Sequence, residues 1–126
     1  MKHYKDNFAH NLLPSIDLQP NYFKGLYEID MLNCVDKLLD NHIQEDRGNT
    51  ICIRTFEETW TYQDLYEKAN QIAHVLVEDL GLQSGNRVLL RSANNPMMVA
   101  CWFAVLKVGG IVVATMPLLR AKEITS

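Results

Sequence analysis

The stretch from Arg87 to Thr115 leaves the fewest structural choices. Arg87-Val88-Leu89-Leu90-Arg91 is a short apolar run with charged ends, entered through the turn Ser84-Gly85-Asn86. Asn94-Asn95-Pro96 then marks a helix start, because asparagine caps orphan N–H groups and proline fits the first turn. The helix after it, Met97 to Val108, carries Met97, Met98, Val99, Cys101, Trp102, Phe103, Val105 and Leu106, too many for one face. It should therefore be covered on nearly every side. Gly109-Gly110 stops it, and Ile111 to Thr115 is a continuously apolar strand. Strand, helix and strand over about thirty residues form a βαβ unit, which closes parallel and right-handed. Parallel strands are stable when both faces are covered, and the rest of the sequence has too few helices for that. The expectation is an α/β domain that is incomplete by itself.

Upstream, the chain divides near residue 32. Residues 1–32 read as an irregular lead-in: Pro14 and Pro20 break any helix, and no hydrophobic period appears. Tyr22, Phe23, Leu26 and Tyr27 make the segment apolar enough to act as a strap over another surface. A first helix starts at Asn33, with Val35, Leu38, Leu39, His42 and Ile43 at helical spacing and Gly48-Asn49 as its stop. A lone histidine on such a stripe is more often packed than a ligand. Thr50 to Phe56 and Thr59-Trp60 read as a β-hairpin turning at Glu57-Glu58. Thr61 opens the next helix through a capping-box variant with Asp64. Its apolar stripe is Leu65, Ala69, Ile72, Leu76 and Leu80, and Gly81 ends it. Ala121-Lys122-Glu123-Ile124 reads as the first turn of one more helix that gets no C-terminal cap.

Composition narrows the partners. Of 126 residues, 48% are hydrophobic and 21% charged, with a formal net charge of -3. That is ordinary globular usage. The twelve basic residues form no stripe, so nucleic acid and anionic membrane are not expected as partners. Met1 to His10 is too polar for a signal peptide, and Met97 to Leu106 is too short to span a bilayer before Lys107. Cys34, Cys52 and Cys101 stand apart in apolar settings, without disulfide or metal-ligand spacing, and read as small buried hydrophobes. A reducing, cytoplasmic compartment is the expected home.

The chemistry-bearing patterns are missing. A nucleotide enzyme surrounds phosphate with backbone N–H groups and a cation, commonly on a glycine-rich loop ending in lysine. Gly81 to Gly85 carries no lysine, and Gly109-Gly110 precedes a strand. No serine, histidine and acid suggest a triad. Neither a catalytic residue nor a metal ligand is assigned.

A family resemblance takes the reading further. Trp60-Thr61-Tyr62-Gln63-Asp64-Leu65 and Ala69-Asn70-Gln71-Ile72-Ala73 resemble the opening helix of the AMP-forming acyl-CoA synthetase and ligase superfamily, the adenylate-forming enzymes. The likeness continues through Leu80-Gly81-Leu82-Gln83-Ser84-Gly85-Asn86-Arg87-Val88-Leu89-Leu90, Asn94-Asn95-Pro96, Ala104-Val105-Leu106-Lys107-Val108-Gly109-Gly110 and Pro117-Leu118-Leu119. The blocks keep family order and spacing from about Asn33 onward, so residues 33–126 are expected to be the start of the AMP-binding N-terminal domain. Many members have aspartate at Asn86 and alanine at Val108, and neither change touches a catalytic group. Asn11-Leu12-Leu13-Pro14, Leu32-Asn33-Cys34 and Thr115-Met116-Pro117-Leu118-Leu119-Arg120-Ala121-Lys122-Glu123 look most like the benzoate and 2-aminobenzoate-CoA ligase group.

The resemblance implies a two-step reaction: a carboxylate attacks the α-phosphate of ATP to give acyl-AMP, and the CoA thiol then displaces AMP. ATP, magnesium and CoA are implied for the parent enzyme, with no cofactor held by this part alone. The family's phosphate loop, ribose aspartate and mobile-domain lysine all fall beyond Ser126. The chain is thus expected to be an inactive N-terminal fragment whose partners are the remainder of the parent enzyme and its carboxylic acid substrate. Leu119 and Arg120 stand as candidates for the edge of the CoA path, against the plainer roles of packed leucine and solvated arginine. Three alternatives remain open: a free-standing, non-catalytic interaction module, a fragment of a medium-chain fatty acyl-CoA synthetase, and an unrelated small α/β binding protein. In isolation the chain is expected to self-associate through its last strand or the Met97–Val108 helix, because burying a large apolar side chain contributes about 1.5–3 kcal/mol.

Overall fold

A computed structural model describes residues 33–124. The expected strap over residues 1–32 lies outside them. Within them the fold is mixed α/β, with two separate two-stranded sheets and a layer of helices.

The first helical path is a π-helical turn, Asp36–Asp40, running into α1, Asn41–Gln44. Asn33 opens it: its Oδ1 accepts the Val35 N–H at 3.0 Å. The same side chain donates from Nδ2 to the Leu106 carbonyl at 2.9 Å, which also accepts the Gly109 N–H at 3.0 Å. The path ends short of Gly48-Asn49, with Asp46 at a φ of 56° that aspartate tolerates better than most residues. Of the expected stripe, Val35 and Leu39 are fully buried, whereas Leu38 is exposed.

Strands β1, Ile51–Arg54, and β2, Thr59–Thr61, pair antiparallel as the expected hairpin, with a register shift between Ile51 and Ile53. The Thr55 hydroxyl accepts from the N–H groups of Glu57 and Glu58 and so closes the turn. Helix α2, Tyr62–His74, starts with the full capping box: Asp64 N–H to Thr61 Oγ1 at 3.2 Å and Thr61 N–H to Asp64 Oδ2 at 2.8 Å. It continues as a π-helical turn, Val75–Asp79. The wider turn rotates the residues after it away from the 3.6-residue stripe. Leu65, Ala69 and Leu76 stay buried, while Leu80, expected on the same face, is 70% exposed. Gly81 then ends the helix at a φ of 65°.

Strand β3, Arg87–Arg91, helix α3, Pro96–Lys107, and strand β4, Ile111–Thr115, form the expected parallel βαβ unit. The register runs from Arg87↔Ile111 to Arg91↔Thr115. Asn95 caps α3 by accepting the Met98 N–H at 2.8 Å, with Pro96 in the first turn. The return from α3 to β4 is tight. A Cβ on Gly110 would stand 2.9 Å from Val105 Cγ1, and Gly109 needs a φ of 75°. A last helical turn, α4, covers Ala121–Ile124.

The core lies between α2 and α3. Val35, Leu39, Leu65, Ala69 and Ala100 form one cluster. Ala73, Leu76, Ala104, Val105 and Val108 form the other, which Val88 and Val112 reach from the sheet. Alanines on the facing ridges let the two helices approach closely. Lys107 ties the layers together: its Nζ lies 2.9 Å from Asp40 Oδ1 and 4.4 Å from the centre of the Tyr66 ring.

As expected of an α/β unit with too few helices, two-sided burial is not reached among the described residues. Val88 and Val112 point into the core, but their neighbours Leu89 and Val113, paired in register on the opposite face, are 50% and 40% exposed. Likewise α3 leaves Met97 and Trp102 partly open. Among the described residues, the helices pack one side of the sheet only.

Candidate functional site

Ligand sites in parallel α/β sheets gather at the carboxyl ends of the strands. Here those ends are Arg91 and Thr115. The Ser92–Asn95 segment leads from the first into α3, and Met116–Arg120 leads from the second into α4. Arg91 Nη2 fixes the second loop, donating to the carbonyls of Pro117 at 2.6 Å and Leu119 at 2.8 Å. Sequence reading took Arg91 only as the charged end of a strand. Nothing local marks it as a loop clamp, since its acceptors are backbone carbonyls about 27 positions away.

Between these loops and the hairpin lies a groove of about 760 Å³. Met98, Val99, Trp102 and Phe103 of α3 give it an apolar, aromatic wall, and Ile53 and Thr55 close the hairpin side. Thr115 contributes a hydroxyl that is buried and without a hydrogen-bond partner. Polar groups on the rim come from Ser92, Asn94 and Asn95. Such a wall can hold an apolar body, but it offers neither a carboxylate for magnesium nor a cation for a triphosphate. The groove's lining therefore supplies no group for the phosphates of ATP or its metal, and no chemical step is assigned to it.

The two residues singled out for the CoA path sit just past this groove. Leu119 is half-buried in the clamped turn, its N–H bonded to the Met116 carbonyl, and Arg120 is exposed. Neither lines the groove, although Leu118 does. His42 is packed: its ring stacks on Tyr62 at 3.9 Å between centroids, and its Nδ1 faces Arg47 Nε at 3.1 Å. The three cysteines are half-buried rather than fully so. Burial still pushes the Cys52 and Cys101 thiols up, away from reactive thiolate. Among the described residues, no helix is long and apolar enough to cross a membrane.

A family model described as AMP-binding enzyme matches residues 39–126. Long-chain fatty acid transport protein 6 of Mus musculus is 30% identical over 83 residues, covering 66% of this chain and 13% of that protein. An acyl-CoA ligase of Beauveria bassiana is 41% identical over 54 residues, covering 43% of this chain and 9% of that protein. In backbone, the chain is similar to the crystal structure of an anthranilate CoA ligase in complex with anthranoyl-AMP. The TM-score is 0.66 at 24% identity, over 75% of this chain and 19% of that one. The chain thus spans a small part of the length of each of these proteins.

Proposed function

The chain belongs to the AMP-binding enzyme family, and from that premise we propose that it is the opening part of a carboxylate–CoA ligase. The whole protein forms an acyl-adenylate from ATP and then transfers the acyl group to CoA. The observation that carries this is the 41% identity to an acyl-CoA ligase over 54 residues, beside the family match. Binding and orientation of ATP, magnesium and CoA are work for residues beyond this chain. Arg120 is the exception offered: a guanidinium on a loop held by Arg91 suits a phosphate ester of CoA at the outer edge of its path, with Leu119 next to it in sequence.

The substrate class proposed is an aryl carboxylate such as benzoate or 2-aminobenzoate. Its support is the run Thr115 to Glu123 together with Asn11-Leu12-Leu13-Pro14. A fatty acid is the second candidate, favoured by the name of the 30% identical transport protein. The test is pyrophosphate release by a protein containing this sequence and the remaining family domain, offered benzoate, 2-aminobenzoate, octanoate or acetate. Faster turnover of the aryl acids is expected, and preference for octanoate would replace the aryl assignment with the fatty one. The 126-residue chain alone is expected to release no pyrophosphate above a heat-killed control. Release above that control would mean that a complete phosphate site exists within it.

A further inference from the structure

The parallel ladder ends at Arg91↔Thr115, and Pro117, two residues on, brings no N–H to prolong it. The Arg91 side chain takes over there. Its Nη2 carries two hydrogens and donates to two carbonyls, Pro117 at 2.6 Å and Leu119 at 2.8 Å. The Leu119 N–H bonds the Met116 carbonyl at 3.1 Å, so the turn is also closed from within. On the far side the Arg120 carbonyl accepts the Ile124 N–H at 3.3 Å. The backbone of Arg120 is thus held immediately before and after its Cα. No charged residue separates Lys107 from Arg120 in sequence, so the clamped turn delivers one guanidinium.

Resting on the reading of this chain as part of a carboxylate–CoA ligase, we propose that Arg91 is a positioning residue for CoA. It sets where Arg120 meets the phosphate ester, and so governs the thioester-forming half of the reaction. A guanidinium meets a phosphate through a rigid fork of donors, which is sensitive to small displacements of the backbone that carries it. Holding the turn in advance also removes an ordering cost from the binding step, so loss of the clamp shows as weaker CoA binding. Adenylate formation, whose ATP is bound by residues beyond this chain, is indifferent to it.

Separate assays of the two half-reactions test this in a protein containing this sequence and the remaining family domain. Pyrophosphate release without CoA reads adenylate formation, and loss of free thiol reads thioester formation. Arg91→Met keeps much of the stem and removes the donors. It is expected to raise the KM for CoA roughly five- to tenfold, with pyrophosphate release within about twofold of wild type. Pantetheine, a thiol without the phosphates of CoA, should be used equally well by both. Arg120→Ala should weaken CoA in the same way, and the double variant should be no worse than Arg120→Ala alone, because both changes remove one interaction. Arg91→Lys keeps the charge without the fork and should show a smaller shift, which supplies the readout if Arg91→Met does not fold. A wild-type protein that forms no thioester removes the ligase reading and this role together. With an active wild type, three results would each overturn the role of Arg91 alone: an unchanged KM for CoA, a raised KM for the carboxylate instead, or effects at Arg91 and Arg120 that multiply.

Discussion

The two faces of the β3–β4 sheet carry similar residues and live in different surroundings. On the inner face Val88 and Val112 meet Ala104, Val105 and Val108, and the helical layer behind them is sealed by Leu39 and Ala100 at zero exposure. On the outer face Leu89 and Val113 are half open. An apolar run states that cover is needed without saying which chain segment supplies it. Inner cover comes from the next helix in sequence; outer cover has no source among the described residues. That contrast suits a fold matching a small fraction of much longer relatives.

The contrast sets an order of expected effects. Leu39→Ala should cost the most, about 2–5 kcal/mol in urea unfolding, whereas Leu89→Ala should cost less than about 1 kcal/mol. Equal costs would mean that the outer face is buried after all. Next comes Gly110→Ala, which pushes a methyl against Val105 and should cost about 1–3 kcal/mol. Gly81→Ala meets no atom within 4 Å and should lose only about 1 kcal/mol, from its positive φ. A reversed ranking would show that the α3–β4 return can relax.

Asp40→Asn leaves Lys107 without its anion and should cost about 1–2 kcal/mol, sharpening how firmly the first helical path is held to α3. The smallest effect is at the α2 cap. The backbone and side-chain bonds from Thr61 hold the Asp64 carboxyl below its usual 3.8. Its contribution is therefore complete above the ordinary carboxylate range and disappears as pH falls through the lowered value. Asp64→Asn should flatten the unfolding curve below about pH 4 and leave its shape at neutral pH unchanged. An unaltered acid limb would show that the cap does not titrate in this way.

Much of the fold was legible because its signals are local. Asn95-Pro96, the Thr61–Asp64 box, Gly81 and Gly109 each act on backbone within a few residues, and all four place helix ends where expected. The exposure of Leu80 was not legible, since a π-helical turn leaves no simple pattern and shifts every later side chain. Lys107 with Asp40, and Arg91 with the Pro117 and Leu119 carbonyls, were missed because they join residues far apart in sequence. The groove itself lies between the hairpin and the βαβ unit, whose packing no single window of sequence contains.

Sedimentation velocity at tens of micromolar tests the central contrast most directly. The open outer face should make the wild-type chain associate, and Leu89→Lys with Val113→Lys should return it to a folded monomer, because half-exposed strand positions accept charge when nothing covers them. A wild-type chain that remains a cooperative, folded monomer would contradict this. So would a double variant that unfolds, which would mean that the outer face is already a core.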